Sequence, residues 1–247
     1  MHDEYPYITR KREVVSDAIG DVTGDGRQDY VFLTALTSLD PSSAYVTEIR
    51  LNIKDGHTNE IQTIPLNKAG NAGYQPTVLL KDVTGDGIKD IIIRIDSGGS
   101  GAITYDYIYS FAHQRIRLLF DFEQYNQENQ YFINYLDHYL VSIESVATEK
   151  LFLITIINRN LDYLEEIYDK DGYLKKPIQG MADGISGFYP VDLVGNGVYQ
   201  IQAYQRISGL YHADGFGYMI NTLEWNGHQF VIGEQWFALF GETTETS

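Results

Sequence analysis

The most regular feature of the chain is a series of short apolar runs separated by polar turns. Residues 29–36 and 90–95 are rich in β-branched and aromatic side chains and are too short for core helices. Tyrosine alternates with other residues across 103–111, which is the two-residue period of a half-buried strand. The dipeptide Asn226-Gly227 is a strong hairpin signal. The pattern therefore predicts an all-β chain.

Two of the apolar runs follow the same nine-residue stretch. Residues 21–29 read DVTGDGRQD, and residues 82–90 read DVTGDGIKD. A third, altered version at 192–200 reads DLVGNGVYQ. Gly24 and Gly26 permit the positive φ angles that a tight loop needs.

The stretch offers oxygen atoms at alternate positions, and calcium takes six to eight oxygen ligands. In the first copy the predicted ligands are Asp21, Thr23, Asp25, Asp29 and the carbonyl of Arg27. In the second copy they are Asp82, Thr84, Asp86, Asp90 and the carbonyl of Ile88. Clustered carboxylates repel one another unless a cation lies among them, which argues against a plain turn. The sequence therefore predicts two sites for Ca²⁺, the one cofactor that we expect.

The stretch differs from an EF-hand, which needs a bidentate Glu at position twelve and flanking helices. Position twelve is Phe32 in one copy and Ile93 in the other, and each loop runs into a predicted strand. In the third copy Val194, Asn196 and Gln200 replace better ligands. We expect that loop to keep the turn and to bind calcium weakly or not at all.

The spacing of the loops predicts a repeat. They begin at residues 21, 82 and 192, so the second interval is about twice the first, and a unit without a loop is expected near residue 137. Repeats of this length made of strands are typical of β-propellers with about four strands per blade. We predict an N-terminal arm (1–20) and one propeller domain (21–247) of about four blades. The predicted units are 21–80, 81–134, 135–188 and 189–247, and five blades or an open sandwich are the alternatives.

Composition narrows the function classes. The formal net charge of −16 argues against nucleic acid as a partner, because no stretch forms a basic face. There is no cysteine, so disulfides give no indication of compartment. The first residues lack the apolar region of a signal peptide, and no run approaches the roughly 18 apolar residues of a membrane helix. We expect no membrane insertion.

The motif Asp-Val-Thr-Gly-Asp-Gly-x-x-Asp before a strand resembles the FG-GAP/VCBS-type repeat of integrin α-subunit propellers and bacterial surface proteins. The whole chain is also similar to VCBS-repeat proteins of spore-forming Bacillus-type bacteria, on residues 96–101, 119–124 and 189–192. The resemblance implies a calcium-stabilised propeller used for adhesion, binding or surface assembly. It carries over the ten ligand positions named above.

Three other features offer weaker chemistry. Ser97 lies in Asp-Ser-Gly-Gly, but a serine nucleophile needs a histidine base and an oriented Asp, and no histidine has a matching context. His138 beside Asp137 and His212 near Asp214 could bind a transition metal, although surface pairs are favoured without a His-x-x-x-His pattern.

The aromatic residues of the last unit could stack on sugar rings, as in a lectin, although core packing explains them equally well. They are Tyr204, Tyr211, Phe216, Tyr218, Trp225 and Trp236.

Together these patterns predict a non-enzymatic, calcium-binding propeller that serves as a binding or assembly module. We expect it outside the cell, or on a cell or spore surface, because millimolar calcium fills weak sites there. The expected partner is a protein or a glycan. The alternatives are a carbohydrate-binding lectin and a hydrolase on a propeller scaffold.

Overall fold

The computed structural model describes residues 10–40 and 42–241, so residues 1–9 of the predicted N-terminal arm lie outside the described part. The strands are β1 (Arg12–Gly20), β2 (Asp29–Leu36), β3 (Thr47–Lys54), β4 (Ile61–Pro65), β5 (Tyr74–Lys81), β6 (Asp90–Asp96), β7 (Thr104–Ser110), β8 (Arg117–Asp121), β9 (Tyr131–Leu136), β10 (Leu140–Ser145), β11 (Leu151–Thr155), β12 (Met181–Val191), β13 (Gln200–Ser208), β14 (Gly215–Trp225) and β15 (Phe230–Leu239). The helices are α1 (Phe122–Glu128) and α2 (Leu161–Ile167), with short 3-10 turns at Lys68–Gly70 and Ala112–Gln114. Neither helix is long and apolar enough to cross a membrane.

The strands form four antiparallel sheets in which neighbours in sequence are neighbours in space. Their orders are β1-β2-β3-β4, β5-β6-β7-β8, β11-β10-β9 and β12-β13-β14-β15. Such meanders need only short hairpin connections. The prediction of an all-β chain is confirmed. Within residues 10–40 and 42–241 none of the sheets closes on itself, so the propeller is not confirmed and stays a prediction.

In each four-stranded sheet the nine-residue loop joins the first strand to the second. Antiparallel pairing places Gly20 opposite Asp29 and Lys81 opposite Asp90. The two ends of each loop are thereby held at the distance of paired strands. The third sheet has no such loop, as the sequence predicts near residue 137.

The chain divides into two compact units. The first contains the sheets β1–β4 and β5–β8 together with residues 190–200 and 225–230. Its core is built from fully buried aliphatic side chains, including Leu33, Leu51 and Ile91. The predicted assignment of 21–247 to a single domain stays a prediction.

The second unit contains the sheet β9–β11, both helices and most of the last sheet. Its core joins Ile133 and Ile143 of the sheet to Leu164 and Ile167 of α2. The sequence of residues 161–168 is compatible with either a short helix or a strand. Helix forms because Asn160 caps it, accepting the N–H of Asp162 at 2.8 Å, and because the buried residues lie one turn apart.

The third sheet has one strand fewer than the others, and β11 is left at its edge. β11 reads LFLIT, without a charge or a proline, and Leu151 and Leu153 are 59% and 58% exposed. The opposite edge, β9, is bridged through Asn134 and Gln179. Charge and proline are common protections of exposed edges. The other outer strands contain such residues: Arg12 in β1, Pro65 in β4, Pro76 in β5, Arg117 in β8, Asp183 in β12 and Glu234 in β15.

Candidate functional site

The three loops share one backbone form. The glycines at positions four and six all have positive φ, where an L side chain is strained. The values are 81° and 84° at Gly24 and Gly26, 76° and 83° at Gly85 and Gly87, and 77° and 86° at Gly195 and Gly197. The conformation predicted for the first loop is thus present in all three.

The first Asp of each loop turns its carboxylate onto the main chain. Asp21 accepts the N–H of Gly24 at 2.6 Å and the N–H of Gly26 at 2.8 Å. Asp82 and Asp192 accept the equivalent glycine amides at 2.6 to 2.9 Å. At Asp192 these backbone donors, that of Gly197 above all, hold the carboxyl pKa below its ordinary value.

The last residue of the first loop, Asp29, hydrogen-bonds back to the start of the loop. Asp29 is fully buried, and its Oδ2 accepts the N–H groups of Val22 at 2.9 Å and Thr23 at 3.1 Å. Its Oδ1 accepts the N–H of Gly56 at 2.8 Å, from the turn that follows β3. Asp29 therefore joins the loop to a distant turn.

The other two loops close in the same way. Asp90 accepts the N–H of Val83 at 3.0 Å and of Thr84 at 3.2 Å. Burial, partly offset by these bonds, raises the pKa of Asp90 to about 6, and the nearby Asp86 carboxylate adds to the rise. In the third loop the amide oxygen of Gln200 accepts the N–H of Leu193 at 3.3 Å. Because an uncharged amide fills this position, loop closure there needs no carboxylate.

The loops also contact one another in series. The N–H of Lys89 donates to the carbonyl of Asp21 at 3.3 Å, and the N–H of Tyr199 donates to the carbonyl of Asp82 at 2.8 Å. Lys81 adds a hydrogen bond to the hydroxyl of Tyr199 at 3.1 Å. The position-one carbonyls of the first two loops are thus occupied by the following loop.

The predicted calcium ligands do not converge as they stand. Asp25 and Asp86 each accept the N–H of the residue two positions later, at 2.8 and 2.9 Å. The hydroxyl of Thr23 donates to Asp21 Oδ1 at 3.3 Å. Among the described residues no three Asp, Glu, His or Cys side chains gather as they would around a metal ion. An all-oxygen donor set suits calcium, but this arrangement forms no ligand shell. Calcium binding at the ten predicted positions stays a prediction.

The serine and histidine candidates each have other contacts. Ser97 Oγ accepts the N–H of Gly99 at 3.4 Å. His138 packs on the ring of Tyr173, with centroids 5.1 Å apart, while Asp137 accepts the N–H of Leu174.

His212 pairs with Asp183, its Nδ1 lying 3.2 Å from Oδ1, rather than with the neighbouring Asp214.

A buried polar cluster that the sequence analysis missed surrounds Asp214. Its Oδ2 accepts the hydroxyl of Tyr163 at 2.6 Å and the N–H of Leu210 at 2.9 Å, and Arg159 lies 3.7 Å from Oδ1. Burial and the Asp214 carboxylate raise the pKa of Tyr163, which makes it a donor and not a nucleophile. Its members come from two distant segments, 159–163 and 210–214, so no local signal identifies the cluster.

A second buried acid, Asp106, was also missed. It is fully buried in β7, its Oδ2 accepts the hydroxyl of Thr104 at 2.6 Å, and its Oδ1 has no hydrogen-bond partner among the described residues. Burial raises the pKa of Asp106 to about 7, partly offset by the Thr104 hydroxyl and by Arg94.

The predicted aromatic group separates into core and surface. Phe216 packs against Tyr135 and Trp225 against Phe230, with centroids 5.9 and 5.3 Å apart. Tyr211 and Trp236 are exposed.

Tyr204 and Tyr218 belong to a series of packed aromatic rings that the sequence analysis did not predict. The series is an edge-to-face aromatic ladder across the last sheet, formed by Tyr189, Tyr204, Tyr218 and Phe240 at centroid spacings of 5.3 to 6.1 Å.

Comparison with known proteins identifies relatives. The family model described as YybI C-terminal domain matches residues 129–238. A Bacillus subtilis (strain 168) protein described as "Uncharacterized protein YybI" is 38% identical over 242 residues, which cover 96% of this chain and 91% of the relative. No solved structure matches the chain.

These findings correct the resemblance to FG-GAP/VCBS repeat proteins, which is wrong. The matching family is a different one, and no closed propeller is present among the described sheets. The resemblance rested on the loops, and their pattern is explained by local geometry. Glycines at two positive-φ positions and a side-chain oxygen at position one are what the turn needs, with or without a cation.

Proposed function

We propose that this chain, which belongs to the YybI family, is a non-enzymatic module that assembles with copies of itself through the open edge of its third sheet. The observation that carries the proposal is the uncharged edge strand β11. The predicted location, outside the cell or on a cell or spore surface, is part of the same proposal.

The hydrogen-bonding direction of β11 supports pairing with a further strand. Ile156 donates to Tyr139, and Lys150 accepts from Ser145, so the even-numbered residues face β10. Since the direction alternates along a strand, Leu151, Leu153 and Thr155 direct their N–H and C=O groups to the open side.

A second copy fits this edge. Antiparallel pairing about a two-fold axis at Leu153 places Leu151 opposite the partner's Thr155 and makes about six main-chain hydrogen bonds. No charged residue of β11 meets its counterpart. That matters because a chain of net charge −16 repels its copies over the rest of its surface.

Replacing Leu153 with lysine is expected to abolish self-association, because two lysines would face each other at the axis. We expect a concentration-dependent dimer in sedimentation velocity for the wild type and a monomer for Leu153→Lys. The matched control is Ile61→Lys, on the edge strand β4 that Pro65 already interrupts; Ile61 is also 58% exposed. This control should dimerise like the wild type. A wild type that stays monomeric at 100 µM (about 3 g/L) would overturn the proposal.

Calcium remains a proposal for the two intact loops. Binding would require Asp25 and Asp86 to exchange main-chain donors for the cation, and a ligand that binds only the folded state stabilises it. At about 100 times its Kd the gain is about 2.7 kcal/mol, which raises the Tm of a chain of this size by roughly 5–10 °C. The measurement is thermal unfolding in 2 mM calcium and in EDTA, with the double variant Asp25→Asn, Asp86→Asn as control. Equal unfolding midpoints for the wild type in both buffers would contradict calcium binding by these loops.

The aromatic ladder favours a lectin as the second candidate. Tyr189 is 45% exposed and Phe240 41% exposed, so the ladder offers ring faces and edges for stacking on sugars. A glycan array with the variants Tyr189→Ala and Phe240→Ala tests this hypothesis. Glycan binding that neither variant weakens would exclude the ladder as the sugar-binding surface.

The hydrolase alternative has less support. Ser97 Oγ accepts the N–H of Gly99, His212 pairs with Asp183, and the Asp214 cluster offers a hydroxyl donor with a raised pKa. We therefore retain the non-enzymatic function, for which a hydrolase substrate panel with no turnover is the expected result.

The finer fold prediction, a propeller of about four blades, is part of this proposal. Four-stranded meanders are the blade unit of propellers, and the loops of the first unit contact one another in series. A crystal structure tests it.

A further inference from the structure

A polar cavity lies in the second unit, and none of its lining residues belongs to the nine-residue loops or to β11. Its volume is about 210 Å³, and residues on and after α1 and near the start of β12 line it. Asn129 and Tyr131 contribute from one side, and Asp183 and Gln205 from the other. At roughly 30 Å³ per water, it holds a short organic molecule with a few waters.

Two buried acceptors of this cavity have no donor. Gln205 is 2% exposed, and its Nε2 donates to the carbonyls of Asn129 at 3.2 Å and Asp183 at 3.3 Å, which fixes the amide orientation. Its Oε1 then has no hydrogen-bond partner in the described part of the chain, and neither has Asp183 Oδ2. An unsatisfied buried acceptor costs about 1–3 kcal/mol.

The charge of Asp183 narrows the ligand. Asp183 is 9% exposed, and within the described part of the chain its ion-pair partner is His212, whose side chain is 61% exposed. A buried carboxylate is costly unless a cation pairs with it. His212 contacts Oδ1 of Asp183 and leaves Oδ2 without a hydrogen-bond partner among the described residues. The site therefore needs positive charge and N–H or O–H donors together.

A primary ammonium group meets both needs. It is a compact charge with three donors, enough for Asp183 Oδ2 and Gln205 Oε1 with one remaining. The two acceptors that lack a donor are too few for calcium, which takes six to eight oxygen ligands. A neutral hydroxyl would satisfy an acceptor but add no positive charge beside the Asp183 carboxylate.

We propose that this cavity binds a small primary amine, with Asp183 pairing with the ammonium group and Gln205 accepting one of its N–H donors. The site is independent of calcium and of self-assembly, because it uses neither the loops nor β11.

Titration with n-butylammonium chloride at pH 7.5 and constant ionic strength tests the proposal, followed by NMR or calorimetry. We expect one saturable site on the wild type. Tetramethylammonium, which has the charge without N–H donors, and n-butanol, which lacks the charge, should bind at least tenfold more weakly. Asp183→Asn should weaken n-butylammonium binding at least tenfold. Asp171→Asn, the same change at an exposed turn residue, should leave it unaltered.

A second variant keeps the test decisive if Asp183→Asn does not fold. A Cβ at Gly184 would lie 2.8 Å from Asn126 Nδ2, so Gly184→Ala narrows the cavity without changing charge. It should weaken n-butylammonium binding, with circular dichroism confirming the fold. No saturable binding by the wild type, equal binding by tetramethylammonium or n-butanol, or full binding by a folded Asp183→Asn or Gly184→Ala protein would each overturn the proposal.

Discussion

Replacing Asp29 with alanine is expected to lower the free energy of unfolding by about 3 kcal/mol, because it leaves the buried amides of Val22 and Thr23 without an acceptor. The amide of Gly56 loses its acceptor as well, so the loop and the turn after β3 separate. Urea unfolding measures the change. In a chain of this size it corresponds to a drop in Tm of roughly 6–12 °C.

The matched control lies in the same loop. Asp25 is exposed, accepts the N–H of Arg27 and lies 4.0 Å from His57 Nδ1 through its Oδ2, so Asp25→Ala should cost less than about 1 kcal/mol. Both losses should be the same in EDTA as in calcium if hydrogen bonds to the main chain are what Asp29 contributes. Equal losses for the two variants, or a loss at Asp29 that appears only with calcium, would contradict this account.

Replacing Asp106 with asparagine is expected to stabilise the protein above neutral pH, by about 4 kcal/mol. The folded-state pKa of Asp106 is raised to about 7 from an ordinary value of 3.8, because the group is fully buried. A raised pKa means that the stability contribution is fully present below about pH 4. It is lost as the pH rises through 7, where the buried carboxyl must ionise. Asparagine has no charge to bury, so its advantage should grow between pH 4 and pH 7 and then level off.

The shape of that pH dependence is the decisive readout. Chemical unfolding at pH 4, 6 and 8 compares Asp106→Asn with the wild type, and the exposed Asp171→Asn serves as control. Arg94 and Asp96 are the charges nearest Asp106. A difference in stability that is constant from pH 4 to pH 8 would show that Asp106 is not the titrating group.

The nine-residue loops show that local sequence predicts the backbone conformation of a turn. Gly24, Gly26 and the first Asp specify the turn, and the same features predict the turn at 192–200 although its ligands are altered. The roles of the loop carboxylates do not follow from their spacing. The spacing of Asp21, Asp25 and Asp29 is equally compatible with a cation and with main-chain amides as partners, and the structure directs them to amides.

The strands, the hairpins and the loop conformation can be predicted from local sequence, because each depends on residues that are near neighbours in the chain. Which buried acids matter and which sheet edge is open follow from the tertiary fold. Asp29 accepts a hydrogen bond from Gly56, and Asp214 accepts one from Tyr163, and both pairs are far apart in the sequence. β11 is exposed because a fourth strand is missing beside it, a fact that its own five residues do not contain. Burial and distant hydrogen bonds depend on what the folded chain brings together, and local pattern does not encode that.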